Sequence, residues 1–172
     1  MKEILRLYGK YNQEANKKMI AVLEGLDEGV LTKDMGLYYK SIVGTLVHYS
    51  AGDASFFKDY FSAFCAKAPD ASKIEAMLAE PFMLKSQIIG DMSNLFAARE
   101  VLDSYILDII ENINESDIKA VKTIDFPWGA MQKPVYQFVL SILTHATHHR
   151  GMIAAALDML KVDNDFNGML GV

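Results

Sequence analysis

Cysteine is almost absent from this chain, because Cys65 is the only one. A single cysteine excludes an internal disulfide and any zinc site that is built from several cysteines. We interpret Cys65 as a small apolar residue of the core and not as a reactive thiol. The scarcity of cysteine also fits a reducing compartment.

Positive charge is scarce as well, with 17 Lys and Arg against 22 Asp and Glu and a net charge of −5. Clustered cations dominate the affinity of proteins for nucleic acids, so we expect no nucleic-acid partner. No apolar run approaches the roughly 18–20 residues that a membrane span needs. Residues 1–6 carry charge where the apolar core of a secretion signal would lie. We therefore expect a cytoplasmic protein with no membrane segment.

Several catalytic motifs are also missing. The sequence contains no G-x-S-x-G elbow for a nucleophilic serine and no glycine-rich phosphate loop. It also lacks the H-E-x-x-H pattern, so no glutamate is placed as the general base of a metalloprotease.

The sequence has instead a large apolar content at helical spacing. Its 172 residues, 51% of them hydrophobic, suffice for one domain over residues 1–172 with a sizeable core. Apolar residues that recur every three or four positions predict an all-α fold. The predicted long helices span residues 2–23, 37–64, 84–113 and 133–160. A short helix is predicted over 72–79, and an extended stretch or loop over 123–129.

Three of the four histidines fall within residues 145–149 of the last predicted helix. His145 and His149 are four residues apart, so both side chains leave the same helix face. They occupy an apolar seam that reads Phe138, Ile142, His145, His149, Met152, Ala156 and Leu160. Imidazoles in such a seam need polar partners, and a shared divalent metal would satisfy both. His148 lies beside the seam.

The remaining histidine, His48, lies on a strip of small residues in the second predicted helix, formed by Ser41, Gly44, Thr45, His48 and Gly52. Such a strip lets another helix approach closely or leaves room for a ligand. His48 is either a core histidine with one hydrogen bond or the third ligand of the metal.

Four further residues are candidates for the surroundings of this site. Tyr49 and Trp128 are candidate pocket walls, although Trp128 equally suits a role in pinning its loop to the core. Asp53 either orients a ligand histidine or lies at the surface. Arg150 either steers an anionic substrate or forms a surface ion pair. By contrast, Asn12, Asn16 and Asp103 are expected to face solvent or to make local contacts.

Three stretches resemble the DinB family in order and spacing. Residues 143–151, LTHATHHRG, resemble its C-terminal motif H-x-x-H-H-R-G-Q. Residues 11–16, YNQEAN, resemble its Y-N-x-x-A-N, and residues 41–48, SIVGTLVH, with the later Asp53, resemble its S-I-x-G-T-L-x-H. Met152 departs from the pattern because it stands where the family usually has glutamine.

The resemblance implies a four-helix bundle of up-down-down-up type that is usually a homodimer. It also implies a divalent metal, zinc or nickel, bound by His48, His145 and His149, with His148 outside the ligand set. Related enzymes use a low-molecular-weight thiol as cosubstrate, which favours a thiol S-transferase, or a related isomerase or hydrolase, acting on a small molecule. The alternatives are a non-catalytic metal-binding stress-response dimer and a metal-free bundle.

Overall fold

The computed structural model describes residues 1–166 and 168–172, and in this part of the chain four long helices dominate. The helices are α1 (Lys2–Leu23), α2 (Glu28–Thr32), α3 (Ile42–Ser55), α4 (Ser72–Met77), α5 (Ser86–Ile89), α6 (Met92–Asn112) and α7 (Val135–Met159). The strands are β1 (Leu78–Glu80), β2 (Met83–Leu84), β3 (Val121–Phe126) and β4 (Gly129–Pro134). The mainly helical fold that the sequence predicts is confirmed, but two hairpins add to it.

The first and last long helices agree closely with the predicted ones. α1 has the predicted bounds, and α7 begins two residues later and ends one residue earlier than predicted. Pro134 lies immediately before α7 with a φ of −59°. It fits this place because the first residues of a helix have no helical acceptor for their N–H groups.

The prediction that the second long helix begins at Leu37 is wrong, because α3 begins at Ile42. Leu37 and Lys40 form a tight turn instead, with a φ of 70° at Lys40. Ser41 then caps α3 by accepting a hydrogen bond of 3.0 Å from the Gly44 N–H. A Cβ atom at Gly44 would collide with the Tyr39 carbonyl oxygen, so glycine lets this turn pack against the helix.

Beyond Ser55, α3 continues as a π-helical turn over Phe56–Tyr60 and a 3₁₀ turn over Phe61–Phe64. These changes of helical pitch alter the direction of the aromatic side chains. Phe57, Phe61 and Phe64 are buried in the core, whereas Phe56 is only half-buried.

The third predicted helix, 84–113, is interrupted in the structure. α5 ends before Gly90, and Asp91 caps α6 by accepting a hydrogen bond of 3.1 Å from the Asn94 N–H. A capping carboxylate satisfies an N–H group that has no helical partner, so it favours a new helix start here.

The β3–β4 hairpin contains the stretch that was predicted as extended or loop. Phe126 pairs with Gly129, so Pro127 and Trp128 form the turn between the strands. Along β3, Ile124 and Phe126 are buried, and their neighbours on the strand are more exposed. The hairpin therefore presents one apolar face to the helices.

The long helices contact one another in a way that brings the histidine-bearing segments together. α1 lies against α6 and α7, and α3 lies against α7 and, less extensively, α6. Their shared core includes Leu46 of α3, Ile109 of α6 and Val139 of α7, all fully buried. The α3–α7 contact positions the candidate site.

Candidate metal centre

Three histidines from two helices meet at the contact between α3 and α7. His48 lies in the first half of α3, and His145 and His149 lie one turn apart on α7. One ligand nitrogen from each ring lies within 4.8 Å of the other two. The ring centroid of His48 is 5.4 Å from that of His145 and 4.8 Å from that of His149. The histidines come together as the sequence predicts.

The two histidines of α7 point their Nε2 atoms at each other, 2.9 Å apart. Two nitrogens that each lie 2.0–2.1 Å from a tetrahedral zinc ion are about 3.3 Å apart. A small rotation of either ring therefore reaches the spacing that a bound ion requires. The donor set, its convergence and its spacing fit a divalent transition metal.

These imidazoles are neutral at neutral pH. Burial lowers the pKa of His48 to about 4, and the neighbouring His145 makes a smaller contribution to this shift. Burial also lowers the pKa of His149 to about 3, with smaller contributions from the other histidines. The pKa of His145 is lowered by burial as well. Because only a neutral imidazole has a lone pair for a metal, the site favours the form that binds one.

Packing, more than hydrogen bonding, orients the rings. The Nδ1 atoms of His145 and His149 are buried without a hydrogen-bond partner among the described residues, although metal-bound histidines commonly donate from this nitrogen. The Tyr49 ring lies parallel to that of His149 at 6.1 Å. The Tyr39 ring stacks on His48 with its centroid at 3.8 Å.

Tyr39 also approaches His149, with ring centroids 5.6 Å apart. The turn before α3 places it there, and a predicted helix over residues 37–40 gives no reason to expect this contact. Gly52 lies on the other side of the cluster, where an ideal Cβ would be 4.0 Å from Cε1 of His145. Glycine at this position therefore lets α3 lie close to the His145 ring.

A buried polar network lies directly beneath the histidines. It comprises Asn12, Asn16, Tyr49, Asp53, Arg99, Asp103, Thr147 and Arg150. These residues come from all four long helices, α1, α3, α6 and α7. The network and the histidine cluster adjoin at Tyr49 and Arg150, which are the sequence neighbours of His48 and His149.

Arg150 anchors one end of this network. Its Nη1 donates hydrogen bonds of 2.5 Å to Asn12 and 3.1 Å to Asn16, and its Nη2 donates to Thr147 Oγ1 at 3.2 Å. Its guanidinium lies over the Tyr11 ring, 5.2 Å from the centroid. The surface ion pair considered for Arg150 is wrong, because the side chain is fully buried.

Arg99 occupies the other end and pairs with two carboxylates. It donates to Asp53 at 2.8 Å and to Asp103 at 2.5 Å. Asn16 donates to both oxygens of Asp103 and accepts from the Tyr49 hydroxyl at 3.0 Å. Burial raises the pKa of both aspartates, and Arg99 opposes that rise.

The network corrects several expectations. Asn12, Asn16 and Asp103 are buried and do not face solvent. Asp53 is buried as well, and it pairs with Arg99 and not with a histidine. Two pairs at a spacing of four, Asn12 with Asn16 and Arg99 with Asp103, were the available signal, since polar residues so spaced share one helix face.

Trp128 lies apart from the histidines, in the turn of the β3–β4 hairpin. Its ring stacks on that of Phe126 with centroids 5.0 Å apart and contacts Phe56, and 59% of the residue is exposed. It is among the residues that line an apolar pocket.

Three other residues are not part of the centre. His148 is exposed on α7, outside the cluster. Met152 is half-buried one turn further along α7. Cys65 is half-buried, and burial raises the pKa of its thiol to about 11, so it is no nucleophile at neutral pH.

The fold and the site together define a mainly helical protein with a histidine cluster suited to a divalent metal. The DinB family matches residues 1–160 of the 172, and the chain belongs to that family. No curated protein and no solved structure matches the chain. Within the described residues, no helix has the length and apolar character to cross a membrane.

Proposed function

We propose that this protein is a metal-dependent enzyme that transfers a low-molecular-weight thiol to an electrophilic small molecule. The metal, zinc or nickel, is held by His48, His145 and His149. The histidine cluster carries this proposal, because among the described residues it contains three neutral nitrogen donors and no fourth His, Cys, Asp or Glu. Catalytic zinc sites typically have three protein ligands and an open position, whereas structural sites have four.

The residues around the cluster suit a reaction at its outer side. His48 and His145 are partly exposed, so small molecules reach them, whereas His149 is buried against Tyr49. When bound, a divalent ion favours the thiolate form of a thiol at neutral pH. In the overall reaction the thiol sulfur bonds to the electrophilic carbon and the thiol proton passes to solvent. The leaving group departs with the electron pair of the broken bond.

Metal content tests the site. Elemental analysis of the untagged protein should give about one divalent ion per chain, and His48→Ala and His149→Ala should each lose it. His148→Ala is the matched control, since His148 lies on the same helix outside the cluster, and it should retain the ion. If no metal is found and added Zn²⁺ or Ni²⁺ does not bind, the proposal fails.

The second candidate is a non-catalytic metal-binding stress-response dimer, in which the ion only stabilises the fold. It is favoured by the way the cluster connects α3 to α7 and by the burial of His149, which is 4% exposed. Replacing the native ion with Co²⁺ distinguishes a catalytic site from a structural one. A catalytic site changes its visible spectrum when a thiol is added and leaves a folded apo-protein. A structural site does neither.

We further propose that the four long helices form an up-down-down-up bundle and that two chains assemble into a dimer in the cytoplasm. The long connection over residues 56–91 supports the bundle, since a crossover between parallel helices needs such a length. Met1, Ile4 and Leu7, each at least 43% exposed, form an apolar stripe near the start of α1 that suits a dimer contact. Light scattering of Ile4→Glu against the parent protein tests it.

A further inference from the structure

An apolar pocket of about 200 Å³ opens between the end of α3, the β3–β4 hairpin and the start of α7. Phe56, Phe126, Trp128, Met131 and Ile142 are among its walls. Trp128 and Met131 remain 59% and 42% exposed. Small-molecule sites are typically concave and mainly apolar, and this pocket has both features.

Aromatic rings form much of the pocket wall and pack against one another. Phe126 and Trp128 are nearly parallel, with an interplanar angle of 3°. Phe56 meets both of them nearly edge-on, at 72° and 69°. Aromatic rings favour both the offset-stacked and the edge-to-face arrangement. The cavity is slightly larger than the roughly 150 Å³ in which an apolar cavity holds benzene, so one substituted ring fits.

One wall of the pocket belongs to α7, the helix that carries His145 and His149. Ile142 comes three residues before His145 on α7, an axial distance of about 4.5 Å at the rise of an α-helix. Gly52 of α3 lies between His48 and Phe56 in the sequence, and an ideal Cβ there would be 4.0 Å from Cε1 of His145. The pocket and the histidine cluster therefore share α7 as one wall.

The rim of the pocket carries one charged residue, Lys133 of β4, with Gln137 and Ser141 of α7. Lys133 lies directly opposite Lys122, whose ammonium is 3.5 Å from Asp117. No carboxylate lines the pocket among the described residues. The one charged group beside the pocket is therefore positive, which favours an anionic ligand over a cationic one.

We propose that this pocket binds the aromatic ring of an anionic small molecule, with Lys133 contacting its negative group. This inference rests on the function proposed above, in which the molecule is the electrophile of the reaction. The aromatic walls hold its ring while the reactive carbon extends along the α3–α7 contact toward the histidines.

Binding is measured on the full-length, zinc-loaded protein with 3-phenylpropionate as the probe. Trp128 is the only tryptophan, so its fluorescence reports directly on the pocket. We expect a saturable change in emission, with at least tenfold weaker binding of 3-cyclohexylpropionate, which has the same charge and no aromatic ring. Ser141→Phe, which fills the pocket, should weaken binding at least tenfold. Ser104→Phe, at an exposed position on α6, should not.

The charge is tested separately. Lys133→Gln should weaken 3-phenylpropionate binding about threefold to fivefold, as expected for a solvent-exposed ion pair. It should leave the binding of neutral 3-phenylpropionamide unchanged. Lys122→Gln is the matched control, because it removes the same charge from the paired position on the same hairpin.

Four results would overturn the inference: no saturable change up to millimolar probe, equal binding by Ser141→Phe, equal binding of the cyclohexyl compound, or equal effects of Lys122→Gln and Lys133→Gln. An emission shift on dilution without probe would overturn it too, since a second copy would then cover the pocket.

The His48→Ala variant should bind the probe as tightly as the parent protein. If it does not, the probe binds at the metal. If binding persists and no metal is found, only the proposed enzymatic function fails.

Discussion

The histidine cluster and the polar network beneath it differ in charge, since the network buries ionised groups and the cluster consists of neutral ones. The network buries two guanidinium groups, Arg99 and Arg150, with two carboxylates, Asp53 and Asp103, and hydrogen bonds join them across four helices. The histidines are neutral, and their ring nitrogens converge on one another. Most polar groups of the network pair within the protein, although Asp53 Oδ1 and the Nε atoms of Arg99 and Arg150 have no partner among the described residues. The cluster instead presents a set of donors that a ligand completes.

This contrast suggests a division of roles. A buried ionic network fixes how α1, α3, α6 and α7 fit together, because each charge is stable only with its partner in place. The network in turn holds Tyr49 and Arg150, which flank the histidines. Changes in the network should therefore act on stability, and changes in the cluster should act on metal binding.

The largest effect is expected from Arg99→Met. It leaves two buried carboxylates without their cation, and breaking a buried pair from one side costs about 3–5 kcal/mol. Urea unfolding measures the loss. Arg6→Met, which breaks the exposed pair with Glu111, is the control and should cost less than about 1 kcal/mol.

A rescue variant makes this test sharper. Adding Asp53→Asn and Asp103→Asn to Arg99→Met removes the orphaned charges, so part of the lost stability should return. A loss below about 1 kcal/mol in Arg99→Met alone would show that the network contributes little to the fold.

An intermediate effect is expected from Asn16→Ala. Asn16 joins three members of the network, since it donates to Asp103 and accepts from Tyr49 and Arg150. Its loss leaves the buried Tyr49 hydroxyl without this partner, which costs about 1–3 kcal/mol. The metal content should stay at one ion per chain, because no histidine is altered.

The control for this variant is Asn112→Ala. The exposed side chain of Asn112 donates to the Asp108 carbonyl one turn back on α6, so its replacement should change stability by less than about 0.5 kcal/mol. Equal stabilities of the two variants would contradict the proposed role of the network.

The same contrast explains what the sequence did and did not predict. His145 and His149 stood out because imidazoles replaced apolar residues in a regular seam, and their spacing of four determined their common face. Asn12, Asn16 and Asp103 did not stand out, because polar residues on a helix normally face solvent. Their burial depends on partners from other helices, and one helix's periodicity carries no information about those partners.

The turn over Leu37–Lys40 was missed for a related reason. None of its residues is of a type that breaks a helix. The turn depends instead on the left-handed conformation at Lys40 and on the fit of the Tyr39 carbonyl against Gly44. Gly44 was noticed as a small residue, but the sequence did not show which group it accommodates. The placement of Tyr39 over His48 follows from that turn.

The smallest effect on stability is expected from His48→Ala in the metal-free protein. His48 is partly exposed, and its main contact is the stacked Tyr39 ring, an interaction of about 0.5–1.5 kcal/mol. Unfolding of the metal-free variant and the metal-free parent protein at pH 7.5 should therefore differ by no more than about that amount. The same change should abolish stoichiometric zinc binding. A loss as large as that of Arg99→Met would place His48 among the residues that hold the fold together, and the contrast between network and cluster would then fail.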